Sequence, residues 1–203
     1  MRDEEIWNYD LIHILNDELK KEFPKIKIMK GKVLKDIFLN KDKNTSEYKI
    51  QFGFVDQDIV FYEEIMDISE FHSLNKLLVH NNSENKNQMV IPKLICELKF
   101  DGITSHGLIT YSEYSSDIKS IFPESKYWLV MRYKKSSSEN KLFRHGRNFD
   151  KILYFDEGKS DKRYKEGDFQ NELKSNTKLK NRFEEFIDEL KNTLRKKESN
   201  FIK

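Results

Sequence analysis

The heptapeptide Leu94-Ile95-Cys96-Glu97-Leu98-Lys99-Phe100 constrains the fold more than any other part of the chain. It is short, apolar and β-prone, yet it carries two opposite charges two residues apart. In a strand, successive side chains alternate between faces, so Glu97 and Lys99 share one face while Leu94, Cys96, Leu98 and Phe100 pack on the other. Burying a carboxylate and an ammonium in such a run costs several kcal/mol each unless they are paired or bound to a metal. The tripeptide Glu-Leu-Lys also occurs at Glu18 to Lys20, Glu172 to Lys174 and Glu189 to Lys191. In a helix, residues two apart point about 200° from each other, so the first and last copies read as solvated helix faces. The third copy falls in a polar stretch with no apolar frame.

Around this run the chain alternates helical and extended patterns. Ile6, Trp7, Leu11, Ile14, Leu15 and Leu19 recur at helical spacing over residues 4 to 22, and Pro24 follows as a stop. Ile26 to Leu34 predicts a strand, Asn40 to Glu47 a polar break, and Tyr48 to Val55 and Asp58 to Tyr62 further antiparallel strands, with a bend near Asp56 and Gln57. Ile68, Phe71, Leu74, Leu77 and Leu78 predict a helix over 64 to 79, followed by an Asn-rich loop from Asn81 to Asn87. Met89 to Phe100 is a long strand that tolerates Pro92 near its start. Thr104 or Ser105 caps a helix ending before Pro123, and Tyr127 to Tyr133 and Lys151 to Phe155 are strands. Gly158 to Ser175 reads as a polar linker. A closing amphipathic helix carries Leu179, Phe183, Phe186, Ile187, Leu190 and Leu194, to be buried on the body or on a second chain.

With 203 residues, these elements make one α/β domain spanning residues 1–203, with a core over about 4–155 and the linker and C-terminal helix over 159–203. A 13% aromatic content argues against disorder despite 35% charged residues. Net charge is only +2, so a nucleic-acid surface would have to come from local clustering. The single cysteine, Cys96, excludes an internal disulfide and a Cys-based zinc cluster. No secretory segment or apolar run long enough for a membrane span is present, and the expected location is the cytoplasm.

A second acidic residue bears on Glu97 and Lys99. Asp58 opens the otherwise apolar run to Tyr62, and on a neighbouring strand it could share a hard cation such as Mg2+ with Glu97. An Asp at a strand start, a strand with Glu-x-Lys, then a helix and another strand resembles the PD-(D/E)XK, or restriction-endonuclease-like, nucleases. The resemblance covers roughly residues 4 to 133. Gln57 stands where the family's eponymous proline would be, the spacer between Asp58 and Glu97 is long, and Asp56 is a rival to Asp58.

The resemblance implies a mixed β-sheet flanked by helices, with Asp58 and Glu97 as Mg2+ ligands and Lys99 orienting or stabilising the nucleophile. Asp58, Glu97 and Lys99 would then be catalytic; in some nucleases of this family the first helix adds a ligand for a second metal, a place that Glu18 or a neighbour could take here but that is not among the residues assigned. The implied activity is Mg2+-dependent hydrolysis of double-stranded DNA, as in a type II restriction enzyme acting as a homodimer. A repair or mobile-element nuclease and an idle nucleic-acid-binding module are alternatives, and so is an interaction protein in which Glu97 and Lys99 are an ordinary ion pair. For contacts to nucleic acid, the expected residues are Arg132, Arg144, His145 and Arg147, the last three around the flexible Gly146. His106 is read as helping to cap its helix, and the mixed charges of the last helix as a solvated face.

Overall fold

The computed structural model describes residues 3–41, 48–67, 88–135, 137–158 and 163–195. The helix expected at 64 to 79 and the loop at 81 to 87 lie largely outside them. Residues 64–67, which do not, continue a strand. Helix α1 (Asp3–Leu19) opens with Asp3, Glu4 and Glu5, carboxylates that suit the positive end of a helix dipole. Strands β1 (Ile26–Lys41), β2 (Tyr48–Asp67) and β3 (Gln88–Lys99) follow, then α2 (Ser105–Ile121) and β4 (Lys126–Tyr133). The chain continues through α3 (Glu139–His145), β5 (Lys151–Asp156), α4 (Asp168–Ser175) and α5 (Thr177–Arg195).

Among the described residues the strands form one mixed sheet in the order β1-β2-β3-β4-β5. The pairs β1·β2 and β2·β3 are antiparallel, whereas β3·β4 and β4·β5 are parallel. Two parallel strands need a crossover, and α2 supplies the one between β3 and β4. The expected α/β class, with a mixed sheet flanked by helices, is what the chain adopts.

Strand alternation sorts the core into two sides. Leu94, Cys96, Leu98 and Phe100 join Trp7, Leu11, Leu15 and Leu19 of α1 and the apolar stripe of α5. On the opposite side, Ile95 meets Ile118 of α2, while Leu129 and Met131 meet Leu108 of α2 and Leu142 of α3. With helices over both faces, β4 has seven buried residues in eight, as its continuous apolar run requires. The α5 stripe is buried on this body.

Three expectations are corrected. The bend at Asp56 and Gln57 is not a turn: β2 runs unbroken through it. Its pairing with β1 shifts between Met29↔Val60 and Gly31↔Gln57, so two residues of β2, Asp58 and Ile59, face Lys30 alone. That is a β-bulge, which turns a side chain out of simple alternation without ending the strand. Part of the cationic stretch around Gly146, read as flexible, is helical, because Ser138 accepts a cap hydrogen bond from Lys141 N and starts α3. The polar stretch before α5 contains α4, held by Phe169, which is fully buried. No helix among the described residues is long and apolar enough to cross a membrane.

Candidate functional site

Glu97 and Lys99 lie at the end of β3, on the side covered by α2. Lys99 Nζ is 2.7 Å from Glu97 Oε1, and the two side chains are 16% and 4% exposed. The same ammonium donates to Leu98 O at 2.9 Å and reaches Glu4 Oε1 of α1 at 3.4 Å. It also stands 4.7 Å from the centre of the Tyr111 ring of α2, in cation–π range.

Asp58 joins this group through the bulge. Its Oδ2 accepts from Leu98 N at 2.9 Å and its Oδ1 from Asn8 Nδ2 at 3.0 Å. The carboxylate thus ties β2 to the backbone between Glu97 and Lys99 and to α1. One turn earlier on α1, Glu4 Oε2 accepts from Phe100 N at 3.2 Å. Glu4 and Asn8 are four apart, so one helix face supplies both contacts.

The electrostatics follow from burial. Burial pushes the Glu97 carboxyl up to about 7 and the charge of Asp58 adds to the effect, against the opposing pull of Lys99. Asp58 is also raised by burial, which Lys99 and the Leu98 N–H partly offset. For Lys99, burial works against the charged form, but Glu97, Glu4 and Asp58 outweigh it and raise its pKa. Burial and then Glu97 raise the Tyr111 hydroxyl.

Three carboxylates therefore surround one ammonium, and two of them are held above their usual range. Such a set favours a further positive charge, and its oxygen donors are those of a hard divalent cation. Among the described residues, no three His, Cys, Asp or Glu side chains form a metal cage by themselves. Mg2+ does not need one, since it is commonly bound through one or two carboxylates, with water and phosphate oxygens filling its shell. Asp58 and Glu97 fit that pattern.

Other expected residues are dispersed. The rival Asp56 is exposed on β2. Glu18 is far along α1 and lines a groove with Lys180, Glu184 and Lys191 of α5. His106 is exposed in the first turn of α2, whose cap is Thr104, accepting from Gly107 N at 3.0 Å. Arg144 and Arg147 are exposed and His145 is half-buried, at the end of α3 and just after it.

Arg132 corrects the expectation of a phosphate contact. It is 2% exposed, pairs with Glu172 of α4 at 2.7 Å, and lies over the Tyr133 and Phe169 rings. Being inside the body, it fastens α4 to the sheet and cannot meet a nucleic acid. The period of two along β4 would place it opposite Met131, on the crowded α1 and α5 side.

Sequence reasoning missed Glu4, Asn8 and Tyr111. Nothing in the spacing of α1 says which end meets β3, although its acidic first turn was visible. A second layer also went unseen: Tyr127 OH donates to Gln57 Oε1 at 2.5 Å, both buried. Burial first, and then the charge of Glu97, raises the Tyr127 hydroxyl, so this pair lies within reach of the site's field.

No protein-family model matches the chain, and no curated protein matches it. A solved structure described as the native BbvCI A2B2 tetramer is similar at 13% identity with a TM-score of 0.44. The match covers 65% of this chain and 46% of that one, so it spans less than half of that chain's length.

Proposed function

We propose that the protein is a metal-dependent DNA endonuclease that hydrolyses phosphodiester bonds, with Asp58, Glu97 and Lys99 as catalytic residues. The observation that carries the reading is the buried Glu97 carboxylate, 2.7 Å from Lys99 and within the field of Asp58. A structural ion pair needs no second carboxylate beside it, whereas two carboxylates suit a hard divalent cation. Asp58 and Glu97 would hold Mg2+, which when bound supplies charge neutralisation at the phosphate and a more acidic water.

The chain's own groups account for the rest. Lys99 is kept protonated by its acidic neighbours, so its ammonium can hold the attacking water and the developing charge on phosphate. Glu4 and Leu98 O fix the position of that ammonium. The Leu98 N–H and the Asn8 amide fix the Asp58 carboxylate. Water oxygen then bonds to phosphorus and gives up a proton to solvent, the opposite P–O ester bond breaks, and the leaving oxygen takes a proton from solvent.

We further propose one domain, double-stranded DNA as substrate and a type II restriction role. Cutting both strands would use two copies, and the exposed Ile37, Leu39 and Tyr48 of β1 and β2 offer apolar surface for a homodimer.

Incubating the protein with a panel of plasmid and phage DNA, in Mg2+ or EDTA, tests the reading. Discrete fragments that need Mg2+ are expected, with a loss of about 10²- to 10³-fold for Lys99→Ala. Undiminished cleavage by folded Lys99→Ala and Glu97→Gln would overturn it.

A further inference from the structure

Phe143 is 86% exposed, more than any other large apolar side chain among the described residues. A single exposed ring means little by itself. What surrounds this one is informative. Leu142 is buried and seats α3 on the sheet. Gly146 closes the helix so tightly that an added Cβ would lie 2.7 Å from Leu142 O and 2.8 Å from Ile152. Beyond it, Asn148 N donates to Ser112 Oγ at 3.2 Å and Ser115 Oγ donates to Asn148 O at 2.7 Å, fastening the segment to α2. The ring is thus displayed on a fixed platform.

The charges beside it point to the partner. Several nearby cations are engaged within the chain: Lys134 with Glu139, Lys135 with Asp101, Lys119 and Lys126 with Asp150, and Lys141 with the Ile103 carbonyl. Arg144 and Arg147 are exposed and have no ion-pair partner among the described residues. An exposed aromatic ring on the same short segment as two guanidiniums without ion-pair partners matches a polyanion that carries flat rings, and nucleic acid is that polymer. The platform is also on the correct side of the sheet. Leu142 shares its cluster with Tyr111, whose ring faces Lys99.

We propose that Phe143 docks duplex DNA by wedging its ring into a base step, with Arg144 and Arg147 holding nearby phosphates. This rests on the nuclease reading and extends it to how the substrate is seated.

Binding of a fluorescently labelled, mixed-sequence DNA duplex is measured in EDTA over a range of salt concentrations, so that cleavage does not intervene. Phe143→Ala should weaken binding about tenfold, as loss of one inserted ring would. Its salt dependence should be unchanged, and Phe143→Trp should restore affinity. Arg144→Ala and Arg147→Ala should instead flatten the salt dependence. Equal affinity of the parent protein and folded Phe143→Ala would overturn the docking role, and so would a change confined to self-association in sedimentation. If that happens while Mg2+-dependent cleavage persists, the nuclease reading stands and only the docking role falls. If the parent protein binds no DNA at all, both fall.

Discussion

Lys99 Nζ and Glu97 Oε1 meet at 2.7 Å with one residue between them on β3, and the Glu97 side chain is almost fully enclosed. Breaking one side of such a pair leaves a charge without its partner, at a cost of about 3 to 5 kcal/mol when that charge persists. Urea denaturation at pH 8, where Glu97 is ionised, should therefore show Lys99→Met to be destabilised by up to about that amount. Combining it with Glu97→Gln should recover most of the loss. A double variant as unstable as Lys99→Met would mean that the pair contributes through packing instead.

The ionisation of Glu97 sets a pH dependence whose sign is fixed. Its pKa is about 7 in the fold against an ordinary value of 4.5, so the folded state holds the proton more tightly than the unfolded chain. The contribution to stability is complete below about pH 4.5 and is lost as pH rises through 7. Asp58, also raised, acts in the same direction. Without divalent cations, the melting temperature of the parent protein relative to Glu97→Gln should fall across this window. A gap that stays constant with pH would contradict the buried, raised carboxylate.

Cation binding should reverse that loss. Mg2+ at about 100 times its dissociation constant would add about 2.7 kcal/mol. For a chain of this size that is a rise of several degrees in melting temperature. The rise should be larger at pH 8 than at pH 6, because Glu97 must give up its proton, and it should disappear in Asp58→Asn. Equal stabilisation of Asp58→Asn would place the cation elsewhere.

The burial of Arg132 makes a contrasting prediction. Arg132→Ala removes the link from β4 to α4 and the guanidinium's packing on the Tyr133 and Phe169 rings, with an expected loss of about 3 kcal/mol in denaturant titration. The salt dependence of DNA affinity should not move, because this guanidinium does not reach the surface. A flatter salt dependence would return Arg132 to the binding surface.

Much of this architecture was legible because it follows from period. The stripe of α1, the alternation through Leu94 to Phe100 and the stripe of α5 each required burial of one face, and the fold honours them. The same period also set Glu97 beside Lys99. What escaped depended on contacts between distant segments. The bulge opposite Lys30 has no local signal, and with it the hydrogen bond from Leu98 N to Asp58 could not be foreseen. Glu4 reaches Lys99 across 95 positions of sequence, and only the packing of α1 on β3 brings them together. The polar composition near α4 disguised a helix whose anchor is the single ring of Phe169. Arg132, inside the strand Tyr127 to Tyr133, was grouped with the cations around Gly146 by charge alone, and charge does not report which side of a strand a residue faces.

The proposed chemistry requires Asp58 and Glu97 to share one divalent cation beside Lys99. Crystals grown with Mn2+ would locate it through anomalous scattering. One peak bonded to carboxylate oxygens of both residues, and absent in Glu97→Gln, is the result predicted. A well-ordered site without Mn2+ between them, in crystals that bind it elsewhere, would contradict the claim.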